Sequence, residues 1–513
     1  MAISHYHKVI ANRWFWFLFF LMMAVFSPAL SQDETTIEIL NSDSMEKDES
    51  LGTNAIRYIG NVIFKHEEAI MYCDSAYFYP DENIVKAYHN IHIEQADTLD
   101  LYGDLLTYDG NEKLAQVRKN VTLIDKESVL TTQNLDFNLQ DKIGYYFNGG
   151  KIMNGDNQLK SVLGYYYSKE KFFYFRDSVV IINPDYQILA DTLKYHSISE
   201  VAYFLGPTEI ISEENYIYCE NGWYDTQRNI SQFNRNAYIA SEGQNIRGDS
   251  LYYERDTGIG RAFDNVEIYD STQNVILKGK FAFYIEDPEY ALLTDSAEFI
   301  KLSEEDTLFV HADTLESVLD STGMHKILMA YYKVKIFSND LQGKCDSLSY
   351  LESDSVFQFF SEPVLWSEEN QLTAEHIDLY LAHKQLHYID LIASSFIISQ
   401  EDSIRFNQIK GRNMIGFFKE NKLVRIEVKG NGQTIYFPKD QEELIGVNKA
   451  ESTDLVIYLK DSKIERIKFI LEPNATLFPP DQLQENELIL RGFVWLDQFR
   501  PRSREEIFIW ERY

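Results

Sequence analysis

Along residues 55–415, apolar and polar positions alternate in short runs that follow polar turns. Asn90-Ile91-His92-Ile93, Asn120-Val121-Thr122-Leu123, Asn265-Val266-Glu267-Ile268 and Lys333-Val334-Lys335-Ile336 each place an apolar residue at every second position. A period of two with one apolar face predicts half-buried strands. A second phrase recurs between these runs. A small residue precedes an acidic or polar one, with Leu and an aromatic two and four places further on. Clear copies are Gly103-Asp104-Leu105-Leu106-Thr107-Tyr108, Ala190-Asp191-Thr192-Leu193-Lys194-Tyr195, Gly248-Asp249-Ser250-Leu251-Tyr252-Tyr253 and Cys345-Asp346-Ser347-Leu348-Ser349-Tyr350. Aligned on the Asp, the series reads Asp74, Asp104, Gln133, Ser161, Asp191, Glu220, Asp249, Lys280, Asp313, Asp346, Glu375, Arg412, in steps of 28 to 37 residues. A regular step over most of a chain predicts one two-stranded unit stacked many times.

The phrase contains a change of phase. Apolar or small residues lie three and one places before the Asp and two and four places after it, so the gap across it is three rather than two. A strand that keeps one face apolar must bulge or turn a corner there. Asp74, Asp104, Asp191, Asp249, Asp313 and Asp346 are therefore predicted corner residues, able to satisfy backbone groups freed by the bend. The expected fold is all-β: two facing antiparallel sheets folded along a line of corners, with an apolar interior.

The rest of the chain divides around this array. Residues 1–31 read as a cleavable export signal, with Lys8 and Arg13 ahead of the apolar run Trp14–Phe26 and a small-residue cleavage site at Ala29-Leu30-Ser31. An uncleaved anchor helix is the alternative. Residues 32–54 are acidic and predicted as a flexible lead-in, 416–470 as irregular terminal β units, and 471–513 as a Pro-bounded aromatic and basic tail that caps the last strand or docks elsewhere. The net charge is −32, or −34 once the signal's two cations are removed, which disfavours nucleic acid as a partner. Cys73, Cys219 and Cys345 each stand in the small-residue slot before the Asp position, so buried free thiols are expected rather than a disulfide. His383 and His387 have the spacing of helical metal ligands but lie where the repeat predicts strand and turn. No spacing marks a catalytic set, and the chain is read as a non-enzyme without catalytic residues, metal or cofactor.

The Gly-Asp-x-Leu-x-Tyr phrase of Gly103–Tyr108 and Gly248–Tyr253, with the strands starting at Val121 and Val266, resembles the OstA-like family of periplasmic lipopolysaccharide-transport proteins. That family includes the bridge protein LptA and the periplasmic part of LptD. The resemblance covers roughly residues 55–415. It implies an elongated, twisted, half-open β-jellyroll whose interior holds acyl chains. It also implies a periplasmic location near the outer membrane, lipopolysaccharide or a related glycolipid as ligand, and other jellyrolls as partners through edge-strand pairing. The candidate groove-lining residues are Leu106, Tyr108, Val121, Leu123, Val179, Ile181, Leu193, Tyr195, Leu251, Tyr253, Val266, Ile268, Leu348 and Tyr350. The same residues would equally fill a closed core, which leaves open a structural or adhesive exported β-solenoid.

Overall fold

The computed structural model describes residues 35–511 except 48–53, 96–98, 127, 305, 384, 442, 461–462 and 481. The expected export signal lies outside these residues. Among them, no helix is long and apolar enough to cross a membrane. The described residues are nearly all antiparallel β-strand, with three short 3-10 turns among those near the end. It divides after Tyr146 into two compact units.

In unit 1 the strands Ile84–Gln95, Leu99–Asp109 and Leu114–Asp125 show how the fold arises. Each crosses a corner and so contributes one half to each of two walls. Wall I contains Ile91–Gln95 and Leu99–Gly103; wall II contains Ile84–Tyr88 and Leu105–Asp109. At the corner, His89 and Asn90 stand unpaired against the single residue Asp104. Both adopt left-handed backbone, with φ of 62° and 51°. The extra residue of the bulge therefore sits in the Asn-bearing strand and not, as the phase change suggested, in the Asp-bearing one. The walls face each other: Tyr58 and Phe78 of wall II lie 5.8 and 6.0 Å from Phe64 of wall I, centroid to centroid.

The small-residue slot has a direct steric cause. A Cβ built on Gly103 would lie 2.3 Å from Val117 Cγ1, and one on Gly411 2.3 Å from Val428 Cγ1. Cys73, Cys219 and Cys345 fill the same slot, all free and buried. Burial pushes the thiols of Cys73 and Cys219 up to about 12.

The acidic lead-in holds more order than expected. Glu38–Asn41 and Ser44–Lys47 form two short strands paired to Ile56–His66. All eight strand positions are exposed, so nothing in their apolar pattern announces them.

Unit 2 repeats the two-wall plan to Ile470. Here the expected irregularity after residue 416 is corrected. Lys422–Tyr436 and Val447–Lys460 are its longest strands, and Gly430-Asn431-Gly432 is a corner, with φ of 80° at Gly430 and 55° at Asn431. A corner rich in Gly reads as a loop because Gly serves both. Residues of both walls join in one core running from Val310 to Leu459.

The tail does not cover the final strand. It turns back and crosses the outward face of wall I. Leu483, Leu488 and Leu490 pack on Ile435, Phe437 and Val447; Phe499 packs on Val364 and Trp366; Phe508 lies 4.6 Å from His311. Its backbone is gripped by outward side chains. Gln408 Nε2 donates to Leu488 O and its Oε1 accepts from Leu490 N–H, both at 2.8 Å. Gln371 repeats the grip on Val494 O and Leu496 N–H at 2.8 and 2.7 Å. Lys335, expected on a solvated outward face, is instead 4% exposed beneath this strap.

Candidate functional site: an open stretch of the unit 2 interior

In unit 1 the proposed lining is a filled core. Leu106, Tyr108, Val121 and Leu123 are all buried, as are Phe64, Ile93, Leu101 and Phe137 of the same interior. The Tyr108 hydroxyl is bound to His66 Nδ1 at 2.6 Å, and His66 Nε2 reaches Thr35. This leaves no apolar surface for a ligand around these four residues.

In unit 2 the interior changes along the array. One inward row of wall I reads, in cross-strand register, Ile188, Ile210, Ile217, Ile239, Ile246, Ile268, Leu277, Phe299, Val310, Ile336. The first two and last two are buried, while the six from Ile217 to Phe299 are only half-buried. Opposite them on wall II, Tyr253 is 36% and Tyr284 42% exposed. Nearer the corners the interior stays closed, since Leu251, Val266, Ala282 and Leu293 are buried. The result is a trough that is floored at the corner side and open on the other. It spans six strands of wall I, about 25 Å at the usual strand spacing.

Both ends of this stretch are shut within unit 2. On the upstream side the expected lining residues Val179, Ile181, Leu193 and Tyr195 are buried. Tyr186, Tyr195 and Ala202 meet there around a void of about 10 Å³. Tyr224 braces Tyr186 edge-on at 6.0 Å, and burial pushes all three phenols above their ordinary value. On the downstream side the continuous core begins at Val310; it includes Leu348, and Tyr350 packs 4.5 Å from Phe357.

The mouth is apolar inside and charged at its rims. Lys326 pairs with Glu289 at 2.7 Å on the wall II side. On the wall I side the Thr272 hydroxyl, 2.6 Å away, holds the Asp270 carboxyl below the usual range, with the Lys326 charge adding to it. Burial raises the phenols of Tyr253 and Tyr284. Apolar walls with a charged rim suit an amphiphile whose chains enter and whose headgroup stays at the edge.

Residues 34–191 and 187–249 match the family model described as OstA-like protein. Over residues 34–249, less than half of its length, the chain is similar to the OstA-like family. No curated protein matches the chain. The OstA-like stretch ends midway along the mouth: Ile217, Ile239 and Ile246 lie within it, whereas Tyr253, Ile268, Leu277 and Tyr284 continue the same repeat beyond it.

The corner acids form a structural set apart from the mouth. Asp74 and Asp249 accept from Asn90 and Asn265 at 2.8 and 2.9 Å, and Asp313 from Lys333 at 2.9 Å. Asp191 and Asp346 accept from their own neighbours, the Thr192 and Ser347 hydroxyls. His383 lies in a turn and His387 in the strand Gln385–Ile392, so they do not share a helix. Of the proposed lining, Tyr253 and Ile268 face the mouth, with Leu251 and Val266 in its floor. Ile217, Ile239, Ile246, Leu277 and Phe299 of wall I and Tyr284 of wall II were missed. The signal for Tyr284 was Gly260: Tyr253 and Tyr284 flank it in register, where the matching tyrosines Tyr108 and Tyr195 face Ala115 and Ala202.

Proposed function

We propose that this chain is an exported, non-catalytic lipid-binding β-jellyroll. It shields the acyl chains of lipopolysaccharide or a related glycolipid during transport across the periplasm to the outer membrane. The observation that carries this reading is the apolar inward row that is half-exposed from Ile217 to Phe299 and buried on both sides. Each methylene removed from water contributes roughly 0.8 kcal/mol, so an acyl chain of ten methylenes gains on the order of 8 kcal/mol inside such a trough. The OstA-like match supports the same reading. Because both ends of the open stretch are closed, lipid enters and leaves through the side of the trough. The filled interior around Leu106 and Val121 favours a structural role for unit 1. Partners are other jellyroll transport proteins. Lys463–Ile470 and Asn474–Phe478, each paired only to Val447–Lys460 among the described residues, offer edges for them.

The test is native mass spectrometry of the protein purified gently from its own envelope, with a photo-crosslinking residue at Tyr284. Bound lipid of glycolipid mass, crosslinked at Tyr284, supports the reading. A clean apo mass with no uptake of added lipopolysaccharide overturns it in favour of a structural or adhesive solenoid.

A further inference from the structure

On the outward face of wall I in unit 1, strand register gathers one imidazole and two carboxylates. His92 and Glu94 are two residues apart on Ile84–Gln95 and share a face. Asp100, on Leu99–Asp109, stands directly opposite Glu94. One candidate ligand atom from each of the three lies within 4.8 Å of the others. The imidazole is held. It stacks on Tyr102 with centroids 4.4 Å apart and planes 6° apart, and on Tyr72 at 5.4 Å and 19°. Tyr72, His92 and Tyr102 are cross-strand neighbours in one row, so the ladder itself builds the stack. His92 Nε2 is directed at Asp100 Oδ1, 2.7 Å away, and the Tyr72 hydroxyl donates to Glu94 Oε2 at 3.2 Å.

We propose that His92, Glu94 and Asp100 form a binding site for a divalent transition metal ion, with zinc the best match. One imidazole nitrogen and two carboxylate oxygens are donors that zinc accepts, whereas calcium and magnesium favour all-oxygen sets. Two carboxylates directly opposite in an antiparallel pair repel each other, and a dication between them removes that cost. Metal–ligand distances of about 2.0–2.2 Å put tetrahedral ligand atoms roughly 3.4 Å apart. Glu94 is exposed and closes the remaining gap by a side-chain rotation. The ion takes the place of the contact between His92 Nε2 and Asp100, any proton held there passes to solvent, and the bound neutral ring carries its single proton on Nδ1. Tyr72 then orients Glu94 from outside the coordination sphere. The stack fixes the imidazole plane before the ion arrives, which lowers the ordering cost of binding. A fourth position faces solvent and is open to water or an anionic group.

The test uses tag-free protein, titrated with Zn²⁺ by calorimetry and with Co²⁺ by visible absorption. The expected result is one site whose heat and ligand-field bands vanish in His92→Ala and weaken by about tenfold or more in Glu94→Gln and Asp100→Asn. Binding should also weaken in acid, because protons compete with the ion for its ligand atoms. His92 lies on the outward face, so circular dichroism of His92→Ala should match the parent. If the parent binds no Zn²⁺, or if His92→Ala keeps the parent's stoichiometry and Co²⁺ spectrum, the proposal is overturned.

Discussion

Asn120 Nδ2 donates to Asp104 Oδ2 at 2.7 Å across a corner, and the two residues are sixteen apart in sequence. The same sixteen-residue bond joins Asn90 to Asp74, Asn236 to Glu220 and Asn265 to Asp249. In each case the donor is the second of two left-handed residues. Asn tolerates that backbone and supplies the amide, which explains why the strand run begins with Asn. Asn120→Ala is expected to lower stability by about 1–2 kcal/mol, through both φ strain and the lost bond. Asn120→Gly should cost less, since it relieves the strain and loses only the bond. Denaturant midpoints of the two variants check the order.

The mouth and its floor should respond differently to charge. Ile268→Glu with Leu277→Glu places charge at half-buried, neighbouring positions of the open row. This pair is expected to abolish lipid co-purification while leaving the circular dichroism of the parent. Leu251→Arg with Val266→Arg strikes buried floor positions and is expected to unfold the surrounding strands instead. Mass spectrometry and thermal melts of the two double variants separate these outcomes.

The strap is tied to wall I by a two-pronged ion pair. Arg504 Nε and Nη2 donate to the two carboxylate oxygens of Glu298 at 2.6 and 2.7 Å, and Glu298 is 2% exposed. Arg504→Ala leaves that carboxylate buried without its partner. The expected loss is about 2 kcal/mol, reduced from the fully buried case because Arg504 itself is partly solvated. Limited proteolysis should show earlier cleavage between residues 483 and 511.

Strap docking should depend on pH at both ends of the scale. Lys344, 2% exposed, donates to Glu511 O at 2.9 Å and lies 4.5 Å from the ring centroids of Phe499 and Trp510. Burial, with the neighbouring Lys335 charge, nevertheless pulls its ammonium down to about 8, against the opposing pull of Glu362 and Glu511. The docked state thus holds fewer protons than the released state above about pH 8, and docking tightens as pH rises towards the ordinary lysine range. Burial also lowers His311 below its usual value of 6.5, so its protonation in acid weakens docking as pH falls through that value. Tail protease resistance at pH 5, 7 and 9.5 should increase in that order.

The three thiols should be silent. Cys345, like Cys73 and Cys219, is held far above the ordinary thiol range by burial. None is expected to react with a thiol probe until denaturant is added, when all three should titrate.

The sequence displays the two-wall repeat because its cause is local. The three-residue gap at Asp104 and the small slot at Gly103 are both visible in a single unit. The closed and open interiors are not distinguishable this way: Tyr108, Tyr195 and Tyr253 sit in the same phrase, and only their register partners differ. The strap was hidden for another reason. Its grip comes from Gln371 and Gln408 meeting backbone groups 80 or more residues away, so neither periodicity nor side-chain type in the tail records the path. The lead-in strands escaped because their side chains are all exposed, with no apolar alternation to read.

In a stacked array each unit touches only its neighbours, so unfolding ordinarily creeps in from an end one unit at a time. The strap breaks that rule by tying Lys449, Gln408, Gln371, Gln342, Lys335 and Glu298 to one continuous segment. Strands from residue 298 to 449 should therefore melt as one cooperative block, while those from 215 to 285, to which no tail residue hydrogen-bonds among the described residues, open independently and at lower cost.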